Sequence, residues 1–171
     1  MRSRAISRAA EPGRSSPVRT PPFQVLLDEH RQAVYRFLVA AVGPSEADDC
    51  FQETFVAALR AYPRLRDASN LRSWLLTIAH NKAIDAHRAR GRRAVPVDQV
   101  PEPAVAPPPD GEPELWEAVG ELPMKQRASI LHRYVNDLPY AEIGRIVGCS
   151  EAAARQNVRA GLSSLRGAWE R

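Results

Sequence analysis

SEADDCFQETFVAALRAYPRLRDASNLRSWLLTIAHNKAIDAHRARGRR, residues 45–93, is the stretch on which the reading of this chain turns. It opens acidic and closes basic, with Trp74 near the start of its basic part. From Arg60 to Arg93 nine cations stand against only Asp67 and Asp85. Ser45 is placed as an N-cap, with Asp48 three residues on and Glu46 suited to the helix dipole. The apolar spacing then predicts a helix to about Tyr62 that buries Phe51, Phe55, Ala58 and Leu59 and stops near Pro63. A loop, PRLRDASN, leads to a second predicted helix from about Leu71 to Arg90. Leu71, Leu75, Ile78 and Ala79 share one face of it, and Arg72, Asn81, Lys82, Asp85 and Arg88 lie elsewhere. One small unit thus carries an anionic surface and a cationic one, a combination suited to joining a protein to a nucleic acid.

Upstream, Val25, Leu26, Val34, Phe37, Leu38 and Ala41 recur at helical spacing, predicting a helix from Phe23 to about Val42 that Gly43-Pro44 ends. Residues 1–22, rich in Arg, Ser and Pro, read as a disordered basic tail. They lack the apolar run of a secretory signal. No stretch approaches the ~20 apolar residues that would cross a bilayer, so a cytoplasmic location is expected.

Downstream, residues 94–113 hold seven prolines and no Lys or Arg. Such a segment cannot bury enough apolar surface to fold, and a linker over 93–113 is expected. A second domain, 114–171, follows. Its predicted helices are PELWEAVGEL, Pro123 to Asn136, Tyr140 to Val147, and one capped by Ser150 that runs to about Trp169. The short helix, Gly148-Cys149-Ser150 turn and longer helix form a helix-turn-helix pattern. Ala141, Ile143, Ile146 and Val147 would pack the first of these two helices, and Ala154, Val158, Gly161 and Leu165 the second. The fold class is all-α: two small helical domains joined by a Pro-rich acidic linker.

Charge falls in blocks: +4 over residues 1–22, −4 over 23–59, +7 over 60–93, −7 over 94–121 and +4 over 122–171. Alternating blocks mark separate surfaces with separate partners. Cys50 and Cys149 stand alone, and His30, His80, His87 and His132 are scattered, so all six read as core or surface filler rather than ligands. The sequence offers no metal cluster, no nucleophile–base pairing and no glycine-rich phosphate loop, hence no catalytic residues, no cofactor and no enzyme.

The residues that remain suggest binding. Ser150, Glu151, Ala153, Arg155, Gln156, Asn157 and Arg159 open the last helix, where they could meet phosphates and base edges in a major groove; a helical hairpin inside a protein-binding bundle is the plainer alternative. Arg72, Asn81, Lys82, Arg88, Arg90, Arg92 and Arg93 would attract phosphates whatever the sequence. Asn81 could read a base or be solvated, and Trp74, like Tyr62, could stack on an unpaired base or pack in the core. Asp48, Asp49, Gln52 and Glu53 form a stripe that is either a solvated face or a docking site for a basic partner helix.

Residues 46–90 resemble region 2 of sigma factors, and LPMKQRASILHRYVNDLPYAEIGRIVGCSEAAARQNVRAGLSSLR resembles their region 4. With only a linker between, the chain is similar to the extracytoplasmic-function group of the sigma-70 family over roughly residues 24–92 and 114–167. The resemblance implies docking of Asp48, Asp49, Gln52 and Glu53 on the β′ clamp helices of core RNA polymerase. It implies melting of the promoter −10 element, with a flipped base held by the loop Arg64–Asn70 and the helix after it, which present Arg64, Arg66, Asn70, Arg72, Trp74, Asn81, Lys82 and Arg88. The helix-turn-helix would read the −35 element and lean on the β-flap. The family commonly has Arg where this chain has Asn157, Ala160 and Leu162, which points to an unusual −35 sequence or a weaker grip. Many relatives are held by an anti-sigma factor, though nothing in this sequence requires one. The competing readings are a helix-turn-helix regulator that binds duplex DNA without polymerase, and an adaptor that never touches DNA.

Overall fold

The structure is a computed structural model, and it describes residues 20–93 and 113–169. Apart from their inner edges, the expected tail and linker lie outside those residues. Among the described residues there are seven α-helices: α1 (Phe23–Val42), α2 (Pro44–Ala61), α3 (Leu71–Arg93), α4 (Pro113–Glu121), α5 (Met124–Tyr134), α6 (Tyr140–Val147) and α7 (Glu151–Trp169). A single 3-10 turn, Tyr62–Arg64, follows α2. No helix among them is long and apolar enough to cross a membrane.

In the first half α1 packs on both α2 and α3, which also touch each other. Val34, Phe37, Leu38 and Ala41 of α1 are buried at the i, i+3, i+4, i+7 spacing of one helix face. They meet Phe55 and Ala58 from α2 and Leu75, Leu76, Ala79 and Ala83 from α3. Gly43 makes the α1–α2 corner with φ 87° and ψ 161°, a backbone conformation essentially confined to glycine. Pro44 then starts α2, where its missing N–H costs nothing. Gly43 therefore takes the cap position expected of Ser45, whose side chain makes no capping bond.

Further expectations of burial are corrected here. Leu59 is 54% exposed and Val25 is 49% exposed. Cys50 and Thr54 face the core of α2 instead, and Phe51 is only half-buried. A helical stripe leaves its edges undecided, and the neighbouring helices settle which flank is covered. On α6 the same applies to Ala141, which is exposed, while Ile143, Gly144, Ile146 and Val147 are buried.

In the second half α5 and α6 pack on α7, and α4 leans on α7 and α1. Pro123 precedes α5 as its N-cap rather than forming its first residue.

The halves are not apart. α3 packs on α6, and α1 on α4 and α5. One hydrophobic cluster runs from Phe37 and Leu75 to Leu131, Ile143 and Ala154. At its centre the fully buried Phe37 ring stacks on His132 of α5, centroids 4.4 Å apart and planes within 15°. His80 of α3 lies 6.4 Å from Phe37 and 6.0 Å from His132. His80 and His132 are core histidines, and Cys50 is a core cysteine. Burial pushes the His80 imidazole down to about 4, and burial with the neighbouring charges of His80 and Arg72 takes His132 to about 3. Arg127 of α5, also buried, crosses the seam to donate Nη1–H to the Ala41 carbonyl at 2.8 Å.

Candidate functional site

Along the outer face of α2, Asp48, Asp49, Gln52 and Glu53 are all exposed. Val56 (47% exposed) and Leu59 continue the line one and two turns on. Positions 49, 52, 53, 56 and 59 follow helical spacing, so carboxylates and apolar side chains form one mixed stripe. Sequence reasoning missed Val56 and placed Leu59 inside. The signal was available in the spacing, since both fall in register with Asp49 and Gln52.

The acidic and basic helices are also tied together. Lys82 of α3 donates its ammonium to Glu53 at 3.0 Å, and Arg90 reaches Glu46 at 3.0 Å and the Val42 carbonyl at 2.7 Å. Lys82, expected on the nucleic-acid surface, thus spends its charge on α2. An open groove of about 370 Å³ runs between these helices beside Cys50.

Of the other residues of the loop and α3, Arg64, Arg66, Asn81 and Arg88 are exposed. Asn70 caps α3: its Oδ1 accepts the Ser73 N–H at 2.9 Å. Asp67 shapes the preceding turn by accepting the Ser69 N–H at 2.8 Å, which holds its carboxyl below the usual range. Trp74 is half-buried and tilted against Tyr62, centroids 6.1 Å apart, at the end of an aromatic row through Phe23 and Phe55. One of its two readings, core packing, is therefore partly met while some of the ring stays accessible. Arg72 is half-buried, donating to the Asn136 carbonyl of the second half at 2.7 Å.

The helix-turn-helix forms as its residues suggest. Ser150 caps α7 by accepting the Ala153 N–H at 3.1 Å. Gly144 lets α6 close on the start of α7, because a Cβ there would stand 2.7 Å from the Cys149 carbonyl oxygen. Glu151, Arg155, Gln156 and Arg159 are exposed along α7, and Ala153 and Asn157 are half-buried. Arg155 donates to Glu151 at 2.9 Å and lies over the Tyr140 ring at 5.1 Å. Arg133, from the end of α5, covers the same ring at 5.2 Å. Tyr140 and Arg133 thus belong with the face that Arg155 presents. Neither is marked by any local signal, because only the packing of α5 on α6 brings them together. Replacing Ser150 by Ala should cost about 1 kcal/mol, the usual worth of an N-cap. Urea unfolding would read it, and an unchanged midpoint would show that the cap contributes nothing.

Two sequence profiles match the chain in the order its halves occur: Sigma-70 region 2 over residues 26–93 and Sigma-70 region 4 over residues 113–165. A helical domain with region 2 followed by a helix-turn-helix with region 4 defines a sigma factor. The ECF RNA polymerase sigma factor SigD of Mycobacterium tuberculosis (strain ATCC 25618 / H37Rv) is 34% identical over 156 residues, covering 82% of this chain and 74% of SigD. RNA polymerase sigma factor CarQ of Myxococcus xanthus is 30% identical over 151 residues, covering 84% of this chain and 87% of CarQ. The chain belongs to the extracytoplasmic-function (ECF) group of the sigma-70 family. Its fold matches that of the sigma factor RpoE in complex with the anti-sigma factor NepR from Bartonella quintana, with a TM-score of 0.73 at 23% identity over 86% of this chain and 96% of RpoE.

Proposed function

We propose that this chain binds core RNA polymerase, directs it to specific promoters and opens the −10 element to start transcription. The observation that carries the reading is the division of labour on one chain. The α2 stripe of Asp49, Gln52, Glu53, Val56 and Leu59 offers acids and apolar side chains together, which suits a basic amphipathic helix of the β′ clamp. Arg64, Arg66, Asn81 and Arg88 offer phosphate attraction and a base-reading amide on the same half. The exposed face of α7, with Arg155, Gln156 and Arg159, suits major-groove readout of a −35 element. Nucleotide addition belongs to the polymerase, and this chain positions it. An anti-sigma factor, the partner in the RpoE structure, is a further proposed partner.

The test is reconstitution. The purified chain is added to core RNA polymerase and sheared genomic DNA, and the 5′ ends of the transcripts are mapped. The expected result is a small set of start sites absent without the chain, each preceded by a shared pair of upstream elements. Failure to form a complex with core enzyme would overturn the reading. A duplex footprint without polymerase would favour a stand-alone regulator.

A further inference from the structure

The start of α1 is pinned to the far end of α2. Tyr62 donates its hydroxyl to the Pro21 carbonyl at 2.6 Å, and its ring meets Phe23 edge-on with centroids 5.4 Å apart. The polar atom of Tyr62 is thus spent on the chain's own backbone. The same residue opens the 3-10 turn Tyr62–Arg64, which leads into the loop that carries the exposed Arg64 and Arg66. The chain that precedes Thr20 therefore departs beside that loop.

That preceding chain is cationic. Residues 1–19 hold Arg2, Arg4, Arg8, Arg14 and Arg19 against the single acid Glu11, with Ser3, Ser7, Ser15 and Ser16 among them. Guanidinium and hydroxyl groups are those that proteins place on phosphate oxygens. The segment has no aromatic ring to stack on an unpaired base and no Asn or Gln to read a base edge. Such a set suits the phosphates of duplex DNA, with a charge every ~1.7 Å, better than a single strand. At ~3.3 Å per residue the segment reaches at most about 60 Å, nearly two turns of duplex.

Two anionic targets lie within that reach, DNA and the acids of α2, and the contacts favour DNA. Glu46 and Glu53 already hold Arg90 and Lys82 at 3.0 Å. Asp49 lies about 20 Å back along α2 from Tyr62 at 1.5 Å per residue. A basic segment that departs beside the exposed Arg64 and Arg66 is repelled by them unless an anion lies between.

We propose that residues 1–19 are a sequence-independent grip on duplex DNA, directed by Tyr62 to the duplex adjoining the opened element. The inference rests on reading the loop and α3 as the −10 surface, and it adds a third DNA contact outside both folded halves.

Fluorescence anisotropy of the full-length chain on a labelled duplex of random sequence, from about 50 to 200 mM NaCl, reads the contact. Replacing all five arginines of the segment by Ser should flatten the log–log salt slope by roughly 3–4, at ~0.9 per phosphate, and weaken low-salt binding about tenfold or more. Arg14→Ser with Arg19→Ser should flatten it by roughly 1–2. Arg31→Ser with Arg36→Ser, two exposed cations of α1, should leave it unchanged. Equal slopes for these two pairs, or a parent that stays off the duplex at the lowest salt, would overturn the proposal. So would an unchanged slope with tighter binding of core polymerase by the five-fold variant, which would put the segment on the α2 acids instead. In promoter complexes, iron–EDTA attached to Ser15→Cys in a Cys149→Ser background should cut duplex within about one turn of the opened element. Cys50 is buried and stays unlabelled. Cuts spread evenly along the promoter would overturn the direction assigned to Tyr62. Start-site mapping separates this failure from that of the sigma reading. If the parent initiates transcription while the two pairs share one slope, the grip alone falls. If the segment's variants lose slope but the parent initiates nowhere with core enzyme, the duplex contact stands and the sigma reading falls.

Discussion

Reversing two exposed carboxylates of α2, with Asp49→Arg and Glu53→Arg together, should abolish binding to core RNA polymerase while leaving the helices folded. Both side chains are exposed on the outer face, so neither supports the core. Glu53 does hold Lys82 at 3.0 Å, with its own side chain 63% exposed. A pair that open to solvent contributes ~0–1 kcal/mol, and its loss will not unfold the domain. Against a basic partner helix, by contrast, four units of charge change turn attraction into repulsion. Like-charge juxtaposition across an interface costs several kcal/mol, which is roughly two orders of magnitude or more in Kd. Analytical size exclusion of the mixture with core enzyme reads the binding, and circular dichroism checks the fold. A variant that still co-elutes with polymerase would remove α2 from the proposed docking surface. Val56→Asp should act in the same direction without touching any ion pair, which separates the docking face from the α2–α3 bridge.

Acid should loosen this protein well before its carboxylates are neutral. His80 and His132 titrate near 6.5 in an unfolded chain, but burial holds them at about 4 and about 3 in the folded one. A folded pKa below the unfolded value means the unfolded chain binds the extra proton. The stability from neutral burial is therefore fully present above about pH 6.5, and it drains away as pH falls toward the folded values. The charged neighbours acting on His132 are His80 and Arg72, both cationic when charged, so no opposite charge compensates its protonation. Each histidine should cost roughly 2 kcal/mol between pH 7 and pH 5, at ~1.4 kcal/mol per pH unit once fully linked. Urea midpoints at pH 7, 6 and 5 read the loss. Replacing His80 by Leu should flatten about half of it. A profile level from pH 7 to pH 5 would show that the ring stack on Phe37 tolerates a charge. Glu142 opposes this trend little in that window, because Ser73 holds its carboxyl below the usual range and it stays ionised.

Much of the fold is legible along the chain because its signals are local. Tyr140–Val147 and the Ser150 cap can be read from residues within a few positions of each other, and they form as expected. Gly43-Pro44 marks the α1–α2 corner for the same reason, although the glycine rather than Ser45 caps α2. Leu59 shows where such reading runs out. Helical periodicity assigns it to the edge of a stripe, and only the positions of α1 and α3 decide that the edge is bare. Lys82 is similar: its charge is plain in the sequence, but its partner Glu53 lies 29 residues away. Tyr140 carries two guanidinium groups, and neither Arg133 nor Arg155 points to it until α5, α6 and α7 are packed.

By itself the sequence determined the helices, their order, the charge of each surface and the family. These follow from side-chain chemistry and spacing within a turn or two, which act over short stretches of chain. It read the two halves as separate modules on a tether, and the tertiary structure put them in contact. Ser73 meets Glu142 across 69 positions and Arg72 meets Asn136 across 64. No local signal encodes such a meeting. It follows from two apolar faces that each half leaves uncovered, closing on Phe37, His80 and His132.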